Sequence, residues 1–262
     1  MSQTRELANS IAVVTGSSRG IGRQIAIELA SAGASVVVHA GHDARAAEQT
    51  SRQVQAEGVQ SLVVVADLAH SPAHDALIEQ AWNWQGGVDI WVNNAGADVL
   101  TGEHRQQTFE ERLDRLWRVD VRATIRISRH VGAKMVERGS GVILNIGWDG
   151  AERGMAGETA ELFAAAKGAV MAFTRSLAQS LAPRVRVNCL ALGWIKTAWA
   201  ESASEYWQQR ARRESLVDRW GEPRDVAQAA RFLVSPAAAF ITGQVIPVNG
   251  GFRNSTGQGE IR

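Results

Sequence analysis

Seven short runs rich in Val, Ile and Leu recur along the chain, at residues 11–15, 35–39, 61–66, 88–92, 141–146, 185–190 and 244–248, with longer amphipathic stretches filling most gaps. This alternation is the pattern of βαβ units around a parallel sheet. Between the first two runs, Ile21, Ile25, Ala26 and Leu29 form one apolar helical face, and Gly33 follows where a helix is capped. Similar helices are readable at 44–57, 72–85, 108–136, 159–181 and 223–234. No internal repeat or shift of composition marks a boundary. The expectation is an α/β fold in a single domain over residues 1–262: a Rossmann-type, doubly wound parallel sheet of about seven strands flanked by helices.

Charge and composition remove several function classes. The 28 Lys and Arg against 27 Asp and Glu leave +1, with no basic block, so the footprint of a nucleic-acid binder is missing. Cys189 stands alone and no Cys/His cluster has zinc-ligand spacing, so neither an internal disulfide nor a metal site is expected. The first nine residues are polar, and no run of about 18 apolar residues occurs, so no membrane partner and a cytoplasmic location are expected. Only Lys134, Lys167 and Lys196 are lysines and only Tyr206 is a tyrosine, so chemistry that needs either has few candidates.

Residues 192–222 depart from the alternation and concentrate Trp194, Trp199, Tyr206, Trp207 and Trp220. They are expected to form a helical flap after a strand. In open α/β sheets the strand carboxyl ends carry the ligand crevice, so such a flap could cover a ligand. The alternative is that its rings pack a subunit interface or the flap's own core. The polar tail at 254–262 is expected to be mobile.

The first run ends in Thr15-Gly16-Ser17-Ser18-Arg19-Gly20-Ile21-Gly22, directly before a helix. Glycines let backbone pass close to a pyrophosphate, and a helix N-terminus presents N–H groups and positive dipole to its charge. The spacing resembles that of the short-chain dehydrogenase/reductase family. Further along, Asp67-Leu68 follows the third strand and Asn93-Asn94-Ala95-Gly96 the fourth. Leu192-Gly193-Trp194-Ile195-Lys196-Thr197 is similar to the family's Pro-Gly-x-x-x-Thr segment, with Leu192 in place of the proline, and the close from Ile241 to Gly251 resembles its last strand. The resemblance implies a nicotinamide dinucleotide held by Gly16, Ser18, Arg19, Gly20, Ile21 and Gly22, with Asp67 and Leu68 at the adenine. Asn94, Ala95 and Gly96 also belong to the cofactor site, and Gly193 and Thr197 lie at its nicotinamide end.

An NAD site usually ends the second strand with an acid that accepts from the ribose hydroxyls. Here that strand closes Val38-His39-Ala40-Gly41-His42 with no acid, and Arg19, His42 and Arg45 are near. NADP(H) is the expected cofactor.

The family's catalytic Tyr and Lys sit four residues apart on one helix face, where the ammonium lowers the phenol's pKa and the phenol exchanges a proton with the substrate. The corresponding segment is Phe163-Ala164-Ala165-Ala166-Lys167, so the lysine is present and the tyrosine is Phe163. The family's substrate-holding Ser corresponds to Trp148, in Asn145-Ile146-Gly147-Trp148-Asp149-Gly150, and its Asn to Asp120. Phe and Trp side chains cannot replace a hydroxyl as proton donor to a carbonyl. Lys167 is read as cofactor-binding, or else as a residual charge paired with Asp120. Asp149 is a candidate proton donor, or else a solvated loop acid, and Glu152, Arg153, Glu158 and His104 are undecided.

Two functions follow. One is an NADP(H)-dependent oxidoreductase acting on a small-molecule substrate that needs no tyrosine acid, such as an imine-like or pterin-like C=N bond. The other is a catalytically silent, dinucleotide-binding regulatory or structural subunit. The resemblance also implies a homo-oligomer, most simply a tetramer, assembled through the two long helices at 108–136 and 159–181 and the last strand at 244–252; the small residues from Ala164 to Ala172 permit close helix approach.

Overall fold

The computed structural model describes residues 5–201 and 203–253, apart from the side chains of Trp199 and Glu201; the tail at 254–262 lies outside the described residues. Seven strands, β1 (Ile11–Val14), β2 (Ser35–Ala40), β3 (Ser61–Val65), β4 (Ile90–Asn93), β5 (Gly141–Trp148), β6 (Val185–Leu192) and β7 (Val245–Val248), make one sheet. The order is β3-β2-β1-β4-β5-β6-β7 and every pair is parallel. The helices are α1 (Gly20–Ser31), α2 (Ala44–Ala56), α3 (Ser71–Asn83), α4 (Phe109–Leu116), α5 (Ala123–Arg138), α6 (Gly150–Arg153), α7 (Glu158–Leu181), α8 (Ala198–Glu201), α9 (Glu205–Glu214) and α10 (Pro223–Val234). The strand order reverses between β1 and β4, which opens a crevice at the carboxyl ends of those strands.

Successive strand residues face opposite layers, and both layers are apolar. Ala12, Val14, Val36 and Val38 pack with Ile25 and Leu29 of α1 and Val226 and Leu233 of α10. Val13, Val37, Trp91 and Ile143 pack with Leu77 of α3, Ile127 and Val131 of α5 and Leu177 of α7. A buried polar thread crosses the second layer. Trp91 Nε1 donates to Asn93 Oδ1, Asn93 Nδ2 donates to Ser128 Oγ and Asn145 Oδ1, and Asn145 Nδ2 donates to Thr174 Oγ1. Every member is bonded, so the thread fixes β4 and β5 against α5 and α7 without an unpaired group.

The stretch expected as a helix at 108–136 is helical from Phe109 on, with one irregularity. Thr108 and Glu111 form a capping box that starts α4, a π-helical turn spans Trp117–Arg122, and α5 then runs to Arg138. The fifth strand extends two residues beyond 146, because β5 pairs with β6 through Trp148↔Leu192. Among the described residues no helix is long and apolar enough to cross a membrane.

Candidate active site at the strand ends

The glycine-rich turn leaves β1 and enters α1. Gly16 is left-handed (φ +64°), and a Cβ there would lie 2.8 Å from Ala95 Cα, so only glycine fits against the β4 segment. Gly20 is also left-handed (φ +57°), but nothing lies within 4 Å of its Cβ position. Arg19 is the N-cap, extended and without a side-chain capping bond. The start of α1 is thus open at Gly20, as a pyrophosphate at its N–H groups would require, whereas Gly22 packs inward, where a Cβ would strike Gly16 O and Asn94 Nδ2. Arg19 is exposed, and Ala40 at the end of β2 is buried.

Not every N–H of the turn is free, and this correction was not visible in the motif. Gly16 N donates to His39 Nδ1 (3.0 Å), Ser17 N donates to His39 O, and His39 N donates to Ser17 Oγ. Asn94 also serves the turn. Its Nδ2 donates to Thr15 O and Gly16 O, while the Asn94 and Ala95 N–H groups donate to Thr15 Oγ1. Asp67 Oδ1 accepts from Ala69 N, and Oδ2 lies 3.1 Å from His70 Nδ1 and 3.7 Å from His42 Nε2. Ala66 O is 2.9 Å from His39 Nε2, and Leu68 O is 2.8 Å from His74 Nε2. Burial holds both imidazoles in their neutral forms: it pushes His39 down to about 4, against the Ala66 hydrogen bond and the Asp67 charge, and it lowers His74.

At the other end of the crevice, Phe163 and Lys167 lie one turn apart on α7. Lys167 Nζ is 2.8 Å from Asp120 Oδ2, and the two side chains are 13% and 1% exposed. Asp120 Oδ1 accepts from Ala97 N, and Gly96 packs on the same carboxylate, with its Cβ position 2.9 Å from Oδ2. The π turn supplies this placement, since both Asp120 and Val121 are buried within it; such turns re-aim side chains inside a helix. The Trp148 and Phe163 rings meet edge to face, with centroids 6.4 Å apart. Trp148 lies over Gly150, where any Cβ would strike the indole.

Asp149 belongs to a different wall. Its N–H donates to Leu192 O, and its Oδ2 accepts from Asn249 Nδ2 (2.8 Å) and pairs with Arg153 (2.8 Å). Burial raises its pKa, opposed by the Asn249 hydrogen bond and the Arg153 charge. It is therefore a buried, bonded acid and not a solvated loop residue. It lines a cavity of about 40 Å³ with Trp148, Arg153, Trp194, Arg210, Glu214 and Phe252, which contains neither Lys167 nor Phe163. Gly193 abuts Asn249 and Asp149, and Thr197 follows on the segment leading to α8. Of the undecided residues, Glu158 pairs with Arg112 and Glu152 with Arg175, while the Arg153 guanidinium lies 3.4 Å from the Phe252 ring centroid.

Rings of the flap pack on one another. Trp194 meets Trp207 at 5.5 Å and Trp220 at 5.9 Å, and Tyr206 meets Trp207 at 5.1 Å. Trp194 Nε1 donates to Glu214, which also holds Arg210. Trp194 thus joins the flap's core to the cavity beside Asp149. The Trp199 side chain is outside the described set. His39 and Asn249 lie within segments that the motifs cover, but neither they nor His74 carries a role there. The available signal was a lone His in the Val-rich β2, since a buried polar side chain in an apolar strand must have partners.

These arrangements define a Rossmann-type α/β protein. A sequence model of the family described as enoyl-(acyl carrier protein) reductase matches residues 16–253. Dehydrogenase/reductase SDR family member 4 of Sus scrofa is 35% identical over 94% of this chain and 88% of its own length. The 3-oxoacyl-(acyl-carrier-protein) reductase FabG of Aquifex aeolicus is also 35% identical, over 94% and 98%. A 7α-hydroxysteroid dehydrogenase solved with NADH and 7-oxo glycochenodeoxycholic acid superposes with a TM-score of 0.86 at 33% identity, covering 96% of this chain and 97% of that one. The chain belongs to the short-chain dehydrogenase/reductase family of oxidoreductases.

Proposed function

We propose that this protein is an NADP(H)-dependent oxidoreductase with a non-standard active site, acting on a small molecule with an imine-like or pterin-like C=N bond. The cofactor reading is supported by the open cradle at α1, the exposed Arg19 beside it, and Ala40 at the place where an acid would repel a 2′-phosphate. When bound, the nicotinamide supplies hydride. Gly193 and Thr197 would flank it, and Lys167 would reach its ribose only by sharing its ammonium with Asp120. The single observation that carries the chemistry is the edge-to-face contact of Trp148 and Phe163, the positions that match the family's Ser and Tyr. With two rings there, the proton must come from the substrate, from water or from Asp149, and a C=N nitrogen is more readily protonated than a ketone oxygen.

The Lys167–Asp120 pair favours a second reading, a silent dinucleotide-binding subunit, because the Lys167 ammonium is held by a buried carboxylate. NADPH consumption over a panel of carbonyl, imine and pterin substrates, beside a calorimetric cofactor titration, separates the two. Turnover of any C=N substrate supports the enzyme; tight binding with no turnover across the panel supports the subunit. A homotetramer assembled through α4, α5, α7 and β7 is part of the proposal, and a monomeric mass by light scattering at micromolar concentration contradicts it.

A further inference from the structure

The segment Ala66-Asp67-Leu68 leaves the end of β3, and its two outer carbonyls are each held by a buried histidine from a different element. His39, on β2, reaches Ala66 O, and His74, on α3, reaches Leu68 O. Both residues are 1% exposed. The proton positions follow from the partners. Gly16 N–H points at His39 Nδ1, so Nδ1 is the acceptor and Nε2 carries the hydrogen given to Ala66 O. Leu68 O can only accept, so the His74 hydrogen is on Nε2. His74 Nδ1 has no partner among the described residues, and one productive bond therefore accounts for the whole side chain.

We propose that His39 and His74 are positioning residues for the adenosine half of the dinucleotide, clamping the Asp67 segment from both sides while His39 ties it to the glycine-rich turn. The clamp rests on the reading that a dinucleotide binds here. One imidazole bridges the first-turn backbone at Gly16 and the β3 exit at Ala66, so the two walls of the adenosine site keep a fixed separation. Apolar residues could fill the space, but they would take the acceptor from the half-buried Gly16 N–H and the buried donors from Ala66 O and Leu68 O.

The test uses the full chain with three ligands: NADPH, NADH and adenosine 2′,5′-bisphosphate, which represents the adenosine half alone. His39→Leu and His74→Leu should each weaken NADPH by about tenfold or more, the equivalent of one buried hydrogen bond. Affinity for the bisphosphate should fall by the same factor. His74→Gln, whose amide nitrogen can replace Nε2–H, should restore binding. His39→Asn should fall between wild type and His39→Leu, because it keeps the acceptor for Gly16 but not the donor to Ala66. Far-UV circular dichroism selects variants that remain folded, and the Gln and Asn variants serve where leucine does not fold. The proposal is overturned if folded variants bind NADPH within about twofold of wild type, if NADPH weakens while the bisphosphate does not, or if His74→Gln is as weak as His74→Leu. Wild type that binds neither dinucleotide overturns the cofactor reading and the clamp together, an outcome distinct from wild-type binding that the variants leave unchanged.

Discussion

The two ends of the crevice are built from different materials. At the turn end, neutral imidazoles, an asparagine amide and a threonine hydroxyl bond to backbone, and the cradle beside Gly20 is open. At the α7 end, a charged pair and two aromatic rings occupy the space. A binding surface for a polyanion needs N–H groups held in place, and neutral partners hold them without adding charge that would compete with the ligand. The α7 end instead has its only lysine neutralised on the spot. Under the proposed function, the contrast separates affinity for a dinucleotide from the ability to move a proton.

The largest expected effect concerns that proton. Wild type should reduce simple ketones about 10²–10⁴-fold more slowly than a site with a positioned acid. Phe163→Tyr alone should recover little, because Trp148 still fills the substrate's approach and Asp120 offsets the ammonium, leaving the new phenol near its ordinary pKa of about 10. Phe163→Tyr, Trp148→Ser and Asp120→Asn together should gain more than the product of the single gains, since such groups act as a unit. Steady-state ketone reduction measures this, and family-like rates from Phe163→Tyr alone would break the comparison.

Next in size is the ion pair. Lys167→Met leaves Asp120 buried and uncompensated and should lower unfolding free energy by about 3–5 kcal/mol, while adding Asp120→Asn should recover most of it. Denaturant unfolding of both variants gives the coupling, and equal loss in the double variant would show that the pair is not the cause. At the turn end, Arg19→Ala should reduce the preference for NADPH over NADH by about tenfold, the worth of one charge-assisted contact. Calorimetry reads the ratio, and equal affinity of wild type for both would remove the basis for NADP(H).

The smallest effect separates Asp149 from the Lys167 centre. Its pKa is raised, so the fold prefers the protonated acid, and the preference is fully present at low pH and lost as pH rises through the folded pKa. Asp149→Asn should therefore stabilise slightly at pH 7, by less than about 1 kcal/mol, with the gain vanishing as pH falls toward about 4. Paired unfolding curves at pH 4 and pH 7 check both sign and direction.

Local chemistry in the chain was sufficient for the strands, the glycine-rich turn and the α7 spacing. Val-rich β2 can only be a covered strand, Gly16 must meet backbone closely, and residues four apart on a helix are neighbours. The same reading could list Phe163, Trp148, Asp120 and Asp149, because each stands at a definite offset from a motif. It offered the pairing of Lys167 with Asp120 only as an alternative, and it gave Asp149 no partner. Lys167 faces Asp120 because a π turn, absent from any periodicity, shifts the register between α4 and α5. Asp149 faces Arg153 and Asn249 because β5 runs two residues further and the segment after β7 folds back beside it. The hydrogen bonds of His39 and His74 are decided in three dimensions. Their partners are backbone atoms of distant segments, and a backbone N–H or C=O leaves no mark on the amino-acid sequence.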